Sequence, residues 1–239
     1  MNLSGKTAIV TGASSGLGHE TTLSLLKKGC RVYGIARSKD KLNGIKDLFP
    51  DTFKPVVLDI NDHQALDVWF NKTFEKSSEN TPNILINNAG LGLFSGIEET
   101  DPEAWNRLIQ TNLTSVFRIT RLVVPQMKAN PEITHIINIA SVAGLIGNPN
   151  LSAYNATKFG LRGFSEALFK ELRYDGIKVS CVYPGSIATP FFDTLGGTHS
   201  GMLDALDVAN TILYLLETPD NVLIDEVTIR PLNPKKGQE

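Results

Sequence analysis

A tyrosine and a lysine stand four residues apart in the stretch YNATK, residues 154–158. On a helix this spacing sets both side chains on one face, about one turn apart. A phenol ordinarily titrates near ~10, too high for ready proton exchange at neutral pH. A neighbouring ammonium group favours the phenolate and draws that value down, toward the range where general acid–base catalysis is effective. Tyr154 and Lys158 are therefore a candidate proton-transfer pair, the alternative being an exposed helical pair without chemistry. A second stretch, TGASSGLG at 11–18, spaces Gly12, Gly16 and Gly18 as G-x-x-x-G-x-G. Glycine allows positive φ and close approach of a phosphate. A helix beginning here would offer free N–H groups and a positive dipole end to a pyrophosphate.

Such residues need a frame, and the apolar pattern supplies one. Short β-branched or apolar runs recur at 7–11, 31–36, 54–59, 83–88, 134–141, 177–185 and 226–230. Helical patterns lie between most of them. One runs through Leu17, Leu23, Leu25 and Leu26, and another surrounds Ala65, Leu66, Val68, Trp69 and Phe70. One long helix is expected from Asp101 to Met127, with Asp101 as N-cap and Pro102 at its first position. A further helix is expected at 152–174, ending before Asp175-Gly176, and a short one near 203–217. Most strands are apolar throughout, as in parallel sheets covered on both faces. The expected fold is α/β: a single Rossmann-like domain over residues 1–239, with a doubly wound parallel sheet of about seven strands. The tail at 231–239, PLNPKKGQE, is polar and expected to fray.

Bulk properties narrow the function classes. A net charge of −2 over 239 residues argues against a nucleic-acid surface. Cys30 and Cys181 lie in apolar stretches without metal-ligand spacing and read as buried free thiols. His19, His63 and His135 also lack metal-ligand spacing, and His199 is isolated. No apolar run reaches the roughly 18 residues of a membrane span, and the first residues lead straight into a strand. A cytoplasmic protein that binds neither membrane nor nucleic acid is expected.

In a doubly wound sheet the end of the second strand reads the adenosine ribose, and an acidic residue there binds a free 2′-hydroxyl. This chain has Ala36-Arg37-Ser38 at that point. Arg37 offers a planar donor fork suited to a 2′-phosphate, which predicts NADP(H) over NAD(H). The other reading of Arg37 is a solvated loop charge.

Taken in order, TGASSGLG, NNAG at 87–90, Asn112 in QTNL, Ser141 in NIAS, Tyr154 with Lys158, and YPG at 183–185 resemble the short-chain dehydrogenase/reductase family. The resemblance runs from about residue 5 to residue 230. It implies interconversion of a carbonyl compound and its alcohol, with hydride from the cofactor and a proton from Tyr154. It assigns Ser141 to the carbonyl oxygen, Lys158 also to the nicotinamide ribose, and Asn112 to a proton-relaying water. Asn112 could equally stitch its helix to the neighbouring strand. Cofactor contacts carry over to Ser14, Ser15 and Leu17 in the glycine loop, with Ser14 sharing a 2′-phosphate with Arg37. Asp59 and Ile60 fall at the adenine, Asn87, Asn88, Ala89 and Gly90 on the groove floor, Pro184, Gly185 and Ile187 beside the carboxamide, and Thr189 beside the carboxamide or the pyrophosphate. The family commonly forms dimers or tetramers, which the helices at 101–126 and 152–174 would pair through Phe117, Phe164 and Phe169; core packing would explain those residues equally well.

The tail IDEVTIRPLNP lacks the glycine pair common in the family and weakens a fatty-acid reading. The chain looks closer to a bacterial subgroup with sepiapterin-reductase-like and hydroxy-acid dehydrogenases. Residues 186–203 would form a lid, with Phe191, Phe192, Leu195 and Met202 for apolar contact and Gly196-Gly197 for mobility. Phe94, Leu145 and Ile146 would form the opposite wall. No cationic cluster stands there to clamp a carboxylate or phosphate, and a small or medium substrate is expected. The alternative from another class is an NADP(H)-binding regulatory protein without catalysis.

Overall fold

A computed structural model of the chain describes residues 1–74, 81–192 and 201–234. Its sheet contains β1 (Thr7–Thr11), β2 (Arg31–Ala36), β3 (Phe53–Val57), β4 (Ile84–Asn87), β5 (Thr134–Ile139), β6 (Ile177–Pro184) and β7 (Glu226–Ile229). The order across the sheet is β3-β2-β1-β4-β5-β6-β7, and every neighbouring pair is parallel. The helices are α1 (Gly16–Lys27), α2 (Lys39–Leu48), α3 (His63–Phe74), α4 (Pro102–Ile109), α5 (Ser115–Ala129), α6 (Ser152–Leu172) and α7 (Ala205–Glu217).

Successive strand residues face opposite sides of a sheet, and here both sides are covered. Ala8, Val10, Ile84 and Ile86 pack in one core with Leu25 of α1, Leu42 of α2 and Val208 and Ile212 of α7. Ile9, Leu85, Ile136 and Val179 pack in a second core with Leu66 of α3, Ile119 of α5 and Leu168 of α6. Each fully buried aliphatic side chain contributes about 1.5–3 kcal/mol. Burial on both sides is why the strands are apolar throughout and show no alternation.

Two local expectations are corrected. No helix was named between β2 and β3, where α2 buries only Leu42 and Ile45, and two apolar contacts are too few to mark a period. The long helix of 101–127 is instead α4 and α5 joined by a π-helical turn at Gln110–Thr114. Such a turn takes up one extra residue, and here it buries Thr111 and Asn112. The N-cap was read as it stands: the Asp101 carboxylate accepts from Ala104 N at 3.1 Å, with Pro102 beginning α4. Gly176 ends the turn after α6 with φ +72°, where Asp175-Gly176 was expected to do so.

β1 lies between β2 and β4. The chain leaves β1 toward β2 and β3, then crosses to β4 on the other side. A crevice therefore opens beyond the carboxyl ends of β1 and β4, which is where the glycine loop and the NNAG segment lie. Among the described residues, no helix is long and apolar enough to cross a membrane, and no cluster of side chains could hold a metal ion.

Candidate active site

The glycine loop turns tightly over the end of β1. Gly12 has φ +70° and Gly16 has φ +53°, so a side chain at either position would be strained. At Gly18 the constraint is space, since a Cβ there would lie 2.2 Å from the carbonyl oxygen of Gly12 and 2.3 Å from Asn88 Nδ2. The loop is anchored from β4. Asn88 Nδ2 donates to the Thr11 carbonyl at 3.0 Å, while Thr11 Oγ1 accepts from the backbone N–H groups of Asn88 and Ala89, both at 3.0 Å.

A groove of about 400 Å³ runs between this loop and the ends of β4, β5 and β6. It brings together Gly12, Ser15, Gly16, Leu17, Asn88, Ala89 and Gly90 with Ser141, Tyr154, Lys158, Pro184, Gly185, Ile187 and Thr189. A second cavity of about 180 Å³ shares Gly12, Ser15, Ala89 and Gly90 with it and adds Ser14, Arg37, Asp59 and Ile60. Phe94, Leu145 and Ile146 of the expected opposite wall and Met202 of the expected lid line neither cavity, and three of the expected catalytic and cofactor residues also lie outside both. Gly18 packs beneath the loop. Asn87 is not on the floor: its buried amide donates to Thr120 Oγ1 at 3.2 Å and Asn138 Oδ1 at 2.8 Å. Asn112 stitches its helix to the segment after β4 and to α6, not to a strand. Its Oδ1 accepts from Leu91 N at 2.8 Å, and its Nδ2 donates to Leu91 O at 2.9 Å and Thr157 Oγ1 at 3.0 Å.

The far wall is built by the segment after β5 and the start of α6. Ser141 caps the short 3-10 turn Val142–Gly144, its Oγ accepting from Ala143 N at 3.1 Å. That turn presses closely on α6, because a Cβ at Gly144 would come within 2.8 Å of the Lys158 carbonyl. Asn155 fastens the two together, donating to the carbonyls of Ala143 and Ile146 and accepting from Asn148 N at 3.2 Å. Ser141 and Tyr154 are thereby set within one hydrogen bond of each other.

The electrostatics differ from the sequence expectation. Burial pushes the Tyr154 phenol up to about 12, opposed only by its hydrogen bond with Ser141. Burial also pushes the Lys158 ammonium down to about 8. Lys158 does not draw the phenol down here. Its Nζ donates to the Ile139 carbonyl at 2.9 Å and lies 5.6 Å from the centre of the Tyr154 ring.

Sequence reasoning missed several lining residues. Leu91, Gly92 and Pro190 line the groove, but nothing in their types marks them. Asn61 and Thr111 line the second cavity, with Asn61 Nδ2 donating to Thr111 Oγ1 at 2.9 Å. A polar residue two positions after Asp59 was the available signal for Asn61. In the expected lid, Phe191 lines the groove with its ring 6.1 Å from that of Tyr154. Residues 193–200, with Leu195, Gly196, Gly197 and His199, lie outside the described residues, as does the side chain of Phe192 and the end of the tail from 235.

Residues 6–199 match the short chain dehydrogenase family. The chain belongs to that family. As a short-chain dehydrogenase it is an oxidoreductase with a Rossmann-like fold. It is 34% identical to an uncharacterised oxidoreductase of Staphylococcus saprophyticus, over 97% of this chain and all of the relative. The closed form of a serine dehydrogenase complexed with NADP+ superposes with a TM-score of 0.85 at 26% identity, covering 98% of both chains. A 3-ketoacyl-(acyl-carrier-protein) reductase from Brucella melitensis complexed with NADH superposes at 0.84, with 28% identity over 95% of this chain and 97% of that one.

The groove of this short-chain dehydrogenase fits the dinucleotide that its family implies. The bare backbone at Gly12 and Gly16 leaves room for phosphate over the start of α1, a twelve-residue helix without acidic residues in its first turn. In the second cavity the buried Asn61 Oδ1 has no hydrogen-bond partner. An exocyclic amino group such as that of adenine would supply the missing donor.

Proposed function

We propose that this protein interconverts a small or medium carbonyl compound and its alcohol, using NADP(H). The observation that carries the reading is the placing of Ser141, Tyr154 and Lys158 on one wall of a groove whose other wall is the glycine loop. Ser14 and Ser15 join that loop at the phosphate end, and Thr189 stands against Gly16, 3.1 Å from where its Cβ would be. When bound, the nicotinamide cofactor supplies or accepts the hydride.

The chain's own residues handle the oxygen and its proton. In the reductive direction Ser141 donates a hydrogen bond to the carbonyl oxygen as negative charge develops there. Tyr154 gives its phenolic proton to that oxygen, and the phenolate left behind takes a proton from solvent. A phenol held near 12 keeps its proton at neutral pH, so reduction starts from the protonated form, and the transfer is driven by the negative charge that develops on the substrate oxygen. Lys158, protonated below about 8 and lining the same wall, would hold the nicotinamide ribose hydroxyls with its ammonium group. Asn112 acts on position, since its three hydrogen bonds fix Leu91 at the groove edge against α6.

Preference for the 2′-phosphorylated cofactor rests on Arg37, which is exposed at the rim of the second cavity beside Ser14. The subunit is proposed to act as a homodimer or homotetramer through α5 and α6. Phe117 of α5 is 49% exposed, whereas Phe164 and Phe169 pack on the core.

The test is NADPH and NADH consumption against a panel of ketones, aldehydes, diketones and 3-oxo esters, with Tyr154→Phe and Arg37→Ala alongside. Turnover with NADPH that Tyr154→Phe abolishes is expected. Arg37→Ala should weaken NADPH binding about tenfold or more and leave NADH binding little changed. Tight NADPH binding without turnover of any carbonyl would favour a regulatory binding protein.

A further inference from the structure

Three stretches of chain bring residues to the substrate end of the groove, and their one basic residue is His199. Residues 88–106, 140–157 and 183–229 hold no Lys or Arg at all, and this is true of 193–200 whatever their arrangement. The described residues at that end are apolar or small: Leu91, Gly92, Tyr154 and Phe191 line it. Beyond them, Phe94 is 52% and Ile146 47% exposed. Their two loops are tied to each other, Ser95 N donating to the Asn150 carbonyl at 2.9 Å. Acidic residues follow at Glu98 and Glu99 in the first loop and at Asp101 and Glu103 at the start of α4, the last two within 4 Å of Arg107.

Among the described residues, three cations border these stretches, and the first, Arg107, is engaged with Asp101 and Glu103. Lys158 faces the groove, but its Nζ is buried and held by the Ile139 carbonyl. Arg230 follows β7, its Cα 3.7 Å from where a Cβ on Gly185 would sit, yet its side chain is exposed and forms no part of the groove wall.

Building on the carbonyl–alcohol reading above, we propose that the substrate is an uncharged ketone or its alcohol, flanked by apolar or aromatic groups. Carboxylates, phosphate esters and acidic carrier proteins are excluded. A carboxylate entering this mouth would shed water without gaining a paired cation, which is strongly unfavourable. An apolar flank gains from burial against Leu91, Phe191 and the exposed faces of Phe94 and Ile146.

The experiment uses ketones matched in skeleton and differing in charge: methyl 4-acetylbenzoate against 4-acetylbenzoate, and ethyl 3-oxobutanoate against 3-oxobutanoate. With NADPH, kcat/KM for the neutral member is expected to exceed that of the anion by on the order of 100-fold. Ile146→Arg, and separately Phe94→Lys, should raise kcat/KM for 4-acetylbenzoate at least about tenfold at low salt and leave the methyl ester unimproved. Equal or reversed preference in the wild type overturns the proposal while leaving the reductase reading intact. So does anion turnover that disappears in Arg230→Gln. Calorimetry of both acetylbenzoates on NADPH-loaded Tyr154→Phe decides the matter without chemistry. Tighter binding of the ester supports the proposal, and tighter binding of the carboxylate overturns it, even if the wild type turns over neither and the reductase reading fails.

Discussion

Lys158 Nζ donates to the carbonyl oxygen of Ile139 at 2.9 Å, while the phenol of Tyr154, one turn earlier on α6, bonds to Ser141. The two side chains share a helix face without forming a direct charge–phenol contact. Each titrates where burial puts it, the phenol higher and the ammonium lower than in water.

This arrangement sets a pH dependence. Lys158 is charged below about 8 and neutral above it, while Tyr154 keeps its proton up to about 12. Ketone reduction should therefore fall above pH 8, approaching tenfold per pH unit as the ammonium is lost. In Lys158→Arg that limb should be absent up to pH 10, on a lower plateau. A wild-type profile flat from pH 7 to 10 would remove Lys158 charge from the mechanism.

Gly18 is the least replaceable glycine of the loop. A methyl group there would stand 2.2 Å from Gly12 O, so Gly18→Ala must push the loop away from Asn88. NADPH affinity should drop on the order of 100-fold or the protein should fail to fold. Gly44→Ala, on α2 where nothing lies within 4 Å of the added carbon, is the control expected to behave as wild type. Fluorescence titration with NADPH and thermal melting read both.

Asn112 should matter for stability as much as for rate. Asn112→Ala removes the partners that Asn112 gives the N–H and carbonyl of Leu91, and leaves the Thr157 hydroxyl with its bond to the Tyr154 carbonyl alone. Unsatisfied groups of this kind cost about 1–3 kcal/mol each when they stay buried. A loss of about 2–4 kcal/mol in urea unfolding is expected, together with lower kcat. Thr157→Val removes one of these bonds and should cost about 1 kcal/mol. If Asn112→Ala melts like the wild type but loses kcat, its contribution is purely chemical.

His135 is 1% exposed on β5, with Nε2 on Ser180 Oγ at 2.8 Å and no partner at Nδ1. Burial lowers its pKa to about 3, with Lys178 adding to the effect. A folded value below the unfolded ~6.5 means that protonation favours unfolding. Its contribution is fully present above pH 6.5 and is lost as pH falls toward 3, at up to about 1.4 kcal/mol per unit. Urea titrations between pH 7 and 4 should show a shallower acid loss for His135→Gln than for the wild type, from a lower starting stability.

Much of the architecture was legible in the sequence because strands buried on both sides must be apolar throughout, and the residues that open α1 and α4 have physical signatures of their own. Gly12, Gly16, Asp101 and Pro102 are types the backbone demands locally. The spacing of Tyr154 and Lys158 likewise placed them on one helix face before any fold was known. What the tertiary structure decided is where these groups point and what they touch. The bond from Lys158 to Ile139, the orphaned oxygen of Asn61, the clasp of Asn112 on Leu91 and the removal of Asn87 from the groove all join residues 19 to 51 positions apart, or depend on a neighbour's absence. No local propensity encodes such distances. Burial is a property of the packed whole, so the direction in which Tyr154 and Lys158 are shifted could not be read from the chain, where only their spacing was written.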